Sequence, residues 1–317
     1  MRVNAHLHLN FNRMSVTDVL RYLDDRHFDY AWLLTWEESE PGGWPYQHLS
    51  VEHVWDAFTR YPNRIIPMYA PDPKRHDASE RLVAWYHRGI KGCAELKTAL
   101  PWNATPVKSF LATVAKLRIP LVFHMEGKSD YIFPLKTDGS LLRMIVRILV
   151  SRRLPGLSSK RLCECVRLQP LLKAFLSRRT INFPGYLGGF KELEDVLKAF
   201  PEISFVGHGP LFWEHLSAVE GDSQTCKRRT DGITYRLLKT YANLYADISG
   251  YSGFCALTRD IRFASQFLNE LGHKILFGTD NETVDHESLI NSFHLPQPVK
   301  NSIFGENACR LLEKTIL

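Results

Sequence analysis

The sequence predicts an α/β protein folded as a (β/α)8 TIM barrel. Short runs rich in aliphatic and β-branched residues alternate with longer stretches of helical periodicity. This alternation repeats eight times, which is the number of units that closes a parallel sheet into a barrel. Polar residues follow several of the apolar runs at their carboxyl ends, and an open doubly wound sheet does not explain that placement. A chain of 317 residues is long enough for one such domain.

Each unit of the predicted barrel begins with a strand, and the helix that follows it often carries a start signal. Ser50, Thr105 before Pro106, and Thr258 stand at predicted N-cap positions. The predicted strands are residues 2–8, 30–35, 65–70, 92–97, 120–124, 203–208, 244–248 and 274–279. The predicted helices are residues 17–25, 51–61, 79–88, 106–117, 190–200, 232–241 and 259–271.

The regular spacing breaks once, after the fifth strand, where residues 125–188 form an insertion within the single barrel domain 1–317. Two helices are predicted there, at 140–151 and 170–177. The insertion contains twelve basic and four acidic residues, so it accounts for the net charge of +6. An insertion at the carboxyl end of a barrel strand lies on the active face and is typical of a lid or substrate loop. An oligomer interface and a solvated basic face are the alternatives.

Composition narrows the class of protein further. The sequence has no apolar run of the length that a membrane span needs, so we expect no membrane partner. It opens on Met1-Arg2-Val3, without an apolar signal segment. The six cysteines stand singly or as one C-x-C pair, which favours reduced thiols over a disulfide framework. We therefore expect a cytoplasmic protein.

The first predicted strand ends in the pair His6 and His8. Residues two apart on a strand share a face, so both imidazoles are expected to point into the barrel at its carboxyl-terminal mouth. Two neutral imidazole nitrogens close together form a partial site for Zn²⁺ or a similar ion. The H-x-H pattern alone is weak, since histidines also occur there for packing.

Three further polar residues strengthen the metal hypothesis. His124 closes the fifth predicted strand, His208 the sixth and Asp280 the eighth, each after an apolar run. Catalytic residues of barrels gather at these strand ends. A buried row of histidines and a carboxylate is costly without a partner, and a shared metal supplies one.

Several stretches resemble the amidohydrolase superfamily, specifically its amidohydrolase-related branch (amidohydrolase family 2). The likeness spans nearly the whole chain outside the insertion, and the motifs say little about the substrate. The stretches are Val3-Asn4-Ala5-His6-Leu7-His8, Val122-Phe123-His124, Phe205-Val206-Gly207-His208-Gly209, Asn243-Leu244-Tyr245-Ala246-Asp247, Leu276-Phe277-Gly278-Thr279-Asp280 and the closing residues 304–312.

The resemblance implies a divalent metal, zinc or manganese, and assigns roles to the residues. His6, His8, His124 and Asp280 would be metal ligands. His208 would be a further ligand or would polarise a substrate carbonyl, and Asp280 would accept the proton of the attacking water.

The fourth strand leaves the number of ions open, at one or two. Cys93, Glu95 and Lys97 share a face of this strand. Relatives with two metals use a bridging glutamate or carbamylated lysine at about this position. Glu95 is the favoured bridge and Lys97 the less favoured one, while an ion pair between Glu95 and Lys97 or an arginine is the alternative.

Substrate-binding residues are not assigned by the sequence. Asp247 and Ser249 follow the seventh strand, where contact with substrate and a hydrogen bond at the start of a loop are both open. Tryptophans in predicted loops of the same face would either wall a ring-bearing substrate or pack in the core. They are Trp36, Trp44, Trp102 and Trp213.

The expected function is metal-dependent hydrolysis of an amide, ester or lactone by activated water, with Asp280 as general base. The alternative is a lyase of the same superfamily that decarboxylates an aromatic acid or hydrates an unsaturated one. Arginines of the insertion suit an anionic small-molecule substrate. A TatD-like deoxyribonuclease is disfavoured, because the basic insertion lacks the interleaved aromatic residues of a single-strand binding surface. A barrel that only binds a ligand, and assembly into a homo-oligomer, stay open.

Overall fold

The computed structural model describes residues 1–11, 14–37, 48–126, 131–132, 180–181, 186–220 and 228–313. The chain divides into two compact units, one formed by Met1–Gly127 with Pro184–Leu317 and the other by Lys128–Phe183. The predicted helices 140–151 and 170–177 lie outside the described residues, so the interpretation of the insertion stays a prediction.

Eight parallel strands of the first unit lie among the described residues, and each falls within a predicted run. All eight are shorter than predicted, because the predicted runs include residues that lie outside the sheet at one end or at both. The strands are β1 (Val3–His8), β2 (Tyr30–Leu34), β3 (Ile65–Pro67), β4 (Cys93–Leu96), β5 (Leu121–His124), β6 (Phe205–His208), β7 (Leu244–Asp247) and β8 (Ile275–Leu276).

The strands form a ring. Strands β1 to β3 pair in sequence order, and strands β4 to β8 pair in sequence order in a second group. The amide of Tyr69 donates to the carbonyl of Gly92 at 3.0 Å, which joins β3 to β4. The amide of Ala5 donates to the carbonyl of Phe277 at 2.8 Å, which joins β8 to β1. The predicted (β/α)8 fold is therefore confirmed.

Helices follow the strands close to their predicted positions. Four segments were missed as helices: Pro210–Glu214 after β6, Gly250–Thr258 directly after β7, and both His286–Ser292 and Gln297–Asn301 after β8. The helices are Val16–Asp25, Val51–Arg60, Ala78–Arg88, Thr105–Leu117, Phe190–Ala199, Pro210–Glu214, Ile233–Thr240, Gly250–Thr258, Ile261–Leu271, His286–Ser292, Gln297–Asn301 and Asn307–Glu313, with a 3-10 turn at Gly272–Lys274 and a π-helical turn at Ser302–Glu306.

The capping predictions are partly corrected. Ser50 is an N-cap, and its hydroxyl accepts the amide of Glu52. Thr105 is instead the first helical residue. Thr258 ends one helix, and Asp260 caps the next because its carboxylate accepts two backbone amides of the first turn.

Two buried apolar clusters surround the sheet. The smaller lies inside the ring, where it takes residues from the strands and is completed by Ala308 and Leu311 of the last helix. The larger packs the helices onto the outside of the strands. This packing leaves the carboxyl ends of the strands to carry the buried polar residues.

Short antiparallel pairs supplement the barrel. Ser217–Glu220 pairs with Arg228–Asp231 in the first unit. In the second unit, Tyr131–Ile132 pairs with Thr180–Ile181. None of the helices in the described ranges has both the length and the apolar composition to cross a bilayer.

Candidate metal centre

The end of β1 brings two imidazoles together, with their ring planes at 78° to each other. His6 and His8 are fully buried, and their Nε2 atoms lie 3.0 Å apart. The Nδ1 atom of His8 donates to the carbonyl of Leu34 at 3.0 Å, and the Nδ1 atom of His6 bonds the carboxylate of Asp247. When Nδ1 carries the proton of a neutral imidazole, Nε2 carries a lone pair. Two lone pairs at this distance repel each other, and an ion or a proton between them relieves the repulsion.

Asp280 completes this half of the centre. Its Oδ1 atom lies 3.3 Å from Nε2 of His8 and 3.6 Å from Nε2 of His6. Its backbone is left-handed, with φ of 54°, a conformation that Asp tolerates better than most residues. The next residue, Asn281, accepts the amide of His8 at 2.9 Å and donates to its carbonyl at 2.7 Å. Asn281, which the sequence analysis did not single out, thus holds the ends of β1 and β8 together.

Glu95 of β4 lies between two sets of ligand atoms. Its Oε2 atom is 3.4 Å from Nε2 of His8, on the side of Asp280. Its Oε1 atom is 2.7 Å from Nδ1 of His124 and 3.7 Å from Nε2 of His208. Oε2 is buried and makes no regular hydrogen bond among the described residues, although Nζ of Lys97 lies 3.1 Å from it. A buried carboxylate oxygen without such a bond fits a cation ligand.

His124 and His208 differ in what holds their rings. His124 has a carboxylate at each nitrogen, because Nε2 lies 3.0 Å from Oε1 of Glu126. His208 keeps Nε2 toward the centre, 3.7 Å from Oδ2 of Asp280, while Nδ1 lies 3.1 Å from the hydroxyl of Ser249. Glu126 was missed, although the H-x-E spacing from His124 is a signal that could have found it.

Asp247 and Ser249 lie behind the histidines. Asp247 is 1% exposed, bonds His6 and accepts the amide of Ser249 at 2.8 Å. The hydrogen bond at the start of the loop is thus present, and both residues also orient rings of the centre. Among the tryptophans, Trp102 and Trp213 pack in the core, whereas Trp36 lies against His8. Trp44 lies outside the described residues.

The centre is strongly charged. Burial raises the pKa of Glu95, but the charges of Lys97 and His124 outweigh it and hold the pKa well below its usual value. Burial likewise opposes ionisation of Asp280, yet the charge of His6 and bonds from His208 and His8 hold its pKa well below the usual value.

The same carboxylates act on the histidines. Burial lowers the pKa of His208, but the hydrogen bond and charge of Asp280, with the charges of Asp247 and Glu95, raise it to about 9. The pKa of His8 is also raised, since Asp280 and Glu95 outweigh burial. Without an ion, His8 and His208 therefore keep protons at the place that an ion would take.

Lys97 lies at the edge of the centre. Its side chain is 4% exposed, and Nζ lies 3.1 Å from Oε2 of Glu95. On its other side Nζ lies 3.8 Å from the centroid of the Trp36 ring. Glu95 and Lys97 thus form the ion pair that the sequence analysis held as an alternative to a bridging carboxylate.

These residues fit a divalent ion. His6, His8 and Asp280 offer ligand atoms within 4.8 Å of one another, and so do His6, Glu95 and His208. Imidazole nitrogens with carboxylate oxygens are a donor set typical of zinc and manganese proteins. His124 belongs to neither group, and its nitrogens are bonded to Glu95 and Glu126, so its role as a ligand stays a prediction.

Solved structures of similar fold were found, while no family model and no curated protein matches the sequence. An uncharacterized TIM-barrel protein from Bordetella bronchiseptica aligns with a TM-score of 0.59 at 13% identity, over 100% of this chain and 99% of that one. The 5-carboxyvanillate decarboxylase of Sphingomonas paucimobilis aligns with a TM-score of 0.53 at 12% identity, over 98% of each chain. The 4-oxalomesaconate hydratase of Rhodopseudomonas palustris aligns with a TM-score of 0.51 at 14% identity, over 99% and 96%. At these identities the likeness shows the TIM-barrel fold.

Proposed function

We propose that this chain is a metal-dependent enzyme of the amidohydrolase superfamily that acts as a lyase on a small carboxylic acid. The reaction would be decarboxylation of an aromatic acid or hydration of an unsaturated one. The observation that carries the metal dependence is the facing pair of Nε2 atoms of His6 and His8, 3.0 Å apart and fully buried. Asp280 and Glu95 provide the carboxylates that such an ion requires.

The choice of a lyase follows from two kinds of support. Two proteins of similar fold are named as a decarboxylase and a hydratase. The Lys97 ammonium beside Glu95 also suits a substrate that carries a carboxylate. A TIM barrel supports many reactions, so the reaction class is argued from the site and tested by an assay.

The residues divide the work as follows. His6, His8 and Asp280 would hold the ion, which when bound supplies a Lewis acid and a template for the substrate. Asp247 keeps the proton of His6 on Nδ1. His208 would donate a proton from Nε2 to the reacting carbon, Asp280, 3.7 Å away, would stabilise the protonated ring beforehand, and water would restore the proton afterwards.

Hydrolysis of an amide, ester or lactone is the second candidate, and the position of Glu95 favours it. One carboxylate oxygen lies toward His6 and His8, and the other toward His124 and His208. This placement suits a bridge between two ions, an arrangement common in enzymes that activate water. Asp280 would then accept the proton of that water. A TatD-like deoxyribonuclease stays disfavoured.

Metal content tests the metal dependence. Plasma mass spectrometry on the purified chain should find one or two zinc or manganese ions per molecule. His6→Ala should lose them, whereas His53→Ala, a change to an exposed histidine of the helix Val51–Arg60, should retain them. Loss of one ion of two in Glu95→Gln would support the bridge. A wild-type chain that binds no metal even after incubation with zinc or manganese would refute the proposal.

The reaction class needs a separate assay. The metal-loaded protein should release carbon dioxide from an aromatic acid, or add water to an unsaturated one, and Asp280→Asn should be inactive. Entry of ¹⁸O from labelled water into the acid product of an ester, lactone or amide, without lyase activity, would replace the lyase with the hydrolase.

A further inference from the structure

Lys97 is buried at the metal centre but has no ligand role in the proposed function. It lies two residues beyond Glu95 on the same face of the sheet, with 4% of its side chain exposed. The ammonium is held between the carboxylate of Glu95 and the ring of Trp36. Trp36 in turn lies with its ring 4.3 Å from that of His8. Burial of a charged ammonium costs free energy, which suggests that Lys97 has a function at this site.

The ammonium and the ion would compete for one atom. Oε2 of Glu95 lies 3.1 Å from Nζ of Lys97 and 3.4 Å from Nε2 of His8. A divalent ion at His8 would therefore lie beside Lys97, with Glu95 as the carboxylate between the two cations. Repulsion between buried like charges a few ångströms apart is strong, and an additional anion between them relieves it.

The geometry points to Lys97 as the residue that recognises a carboxylate of the substrate, which would lie beside Glu95 within reach of both Nζ and the ion. This inference rests on the proposed function, since it requires an ion at His6 and His8. Asp280, whose side chain is 21% exposed, marks the side on which the centre opens to a ligand. The substrate carboxylate would accept from the ammonium while Trp36 keeps the lysine in place from its other side.

The arrangement predicts coupling between the ion and the carboxylate. An anion that neutralises both cations binds more tightly when the ion is present, and by linkage the ion binds more tightly when the anion is present. Removal of the ammonium should weaken binding of the carboxylate, because one of its two cationic partners is lost. It should also strengthen binding of the ion when no carboxylate is present, because the repulsion is removed. A lysine that only fills space would produce neither effect.

Titration calorimetry with benzoate and its neutral analogue benzamide tests the inference on the zinc-loaded protein. Lys97→Met should weaken benzoate by about tenfold or more, the size of a lost charge-assisted hydrogen bond, and leave benzamide unchanged. Lys97→Arg should retain most of the benzoate affinity. The control is Lys91→Met, which removes an exposed lysine just before the same strand and should change neither ligand.

A chelator competition measures zinc affinity in parallel. Lys97→Met should bind zinc roughly tenfold more tightly than wild type when benzoate is absent. Equal benzoate affinity in wild type and Lys97→Met, with zinc bound to both, would overturn the inference but leave the proposed function standing. Zinc binding that depends on bicarbonate and is lost in Lys97→Met would also overturn it, because Lys97 would then be a carbamylated ligand. A wild-type chain that binds no zinc would instead refute the proposed function.

Discussion

Each of three histidines in the centre is held by a bond to its Nδ1 atom. Asp247 bonds His6, the carbonyl of Leu34 bonds His8, and the hydroxyl of Ser249 lies 3.1 Å from Nδ1 of His208. Such partners fix the orientation of a ligand ring and the nitrogen that carries its proton. The Nε2 atoms are thereby directed to one point, and a change in a partner should act on the ion rather than on the fold.

Asp247→Asn tests this arrangement. The substitution keeps the shape of the side chain but removes the charge that supports His6, so we expect the metal affinity to fall by roughly 10- to 100-fold. A competition assay with a coloured chelator measures it. Asp231→Asn, which removes an exposed aspartate, is the matched control. An unchanged affinity in Asp247→Asn would show that His6 does not depend on this carboxylate.

Metal binding should depend on pH through His208. Because nearby carboxylates raise the pKa of His208 to about 9, an ion at His6, His8 and Asp280 binds beside a positively charged ring at neutral pH, and an ion that also uses Nε2 must displace the proton. The apparent metal affinity should therefore rise from pH 7 to about pH 9, by up to about tenfold per unit, and level off above it. The same titration of His208→Asn should show a smaller rise. An affinity that is flat over this range would exclude His208 as a ligand.

At the scale of elements, the segment that follows the short strand β8 packs closely against the ends of β1 and β7 at Gly278. A Cβ atom on Gly278 would lie 2.7 Å from Cβ of His6, 2.7 Å from Oδ1 of Asp247 and 2.9 Å from Cβ of Ser249. No side chain fits there without displacing the ends of β1 and β7. The close approach of these strands is what allows Asp247 to reach His6.

Gly278→Ala should therefore damage the site and the fold together. We expect lower metal affinity and a loss of about 1–3 kcal/mol in the free energy of unfolding, as for other overpacked positions. Calorimetry and the chelator assay measure the two effects. Gly189→Ala is the control, since its Cβ would be tight only against the carboxylate of Glu192, which can rotate away. Full metal affinity in Gly278→Ala would argue against a close approach at this point.

At the scale of the molecule, the metal centre contains side chains from strands that lie far apart in the ring of β-strands. Its residues come from β1, β4, β6 and the segment after β8. An ion that binds them all would be absent from the unfolded chain. Its binding free energy therefore adds to the stability of the whole barrel.

Addition of zinc at about 100 times its dissociation constant should stabilise the chain by about 2.7 kcal/mol and raise the melting temperature by roughly 5 °C. A chelator should reverse the shift, and Asp280→Asn should reduce it. Differential scanning calorimetry measures both. A melting temperature that does not respond to zinc in the wild type would show that no ion joins these strands.

The barrel, its strands and the gathering of His6, His8, His208 and Asp280 at its mouth could be predicted from the sequence, whereas Glu95 came from the resemblance and the ligand roles stay predictions. The reason is that strand runs and their polar ends are local patterns, and the ring of parallel strands collects all carboxyl ends at one mouth. The two wrong caps, Thr105 and Thr258, are errors of one or two residues in where a helix begins.

The pairing of partners within the mouth was decided by the tertiary structure. Asp247 lies 241 positions from His6, and Asn281 lies 273 positions from His8. No local pattern links such residues, because their contact depends on the register of strands around the closed ring and on the close approach at Gly278. For the same reason, only the folded chain shows that the two oxygens of Glu95 face different histidines and that Lys97 shares one of them.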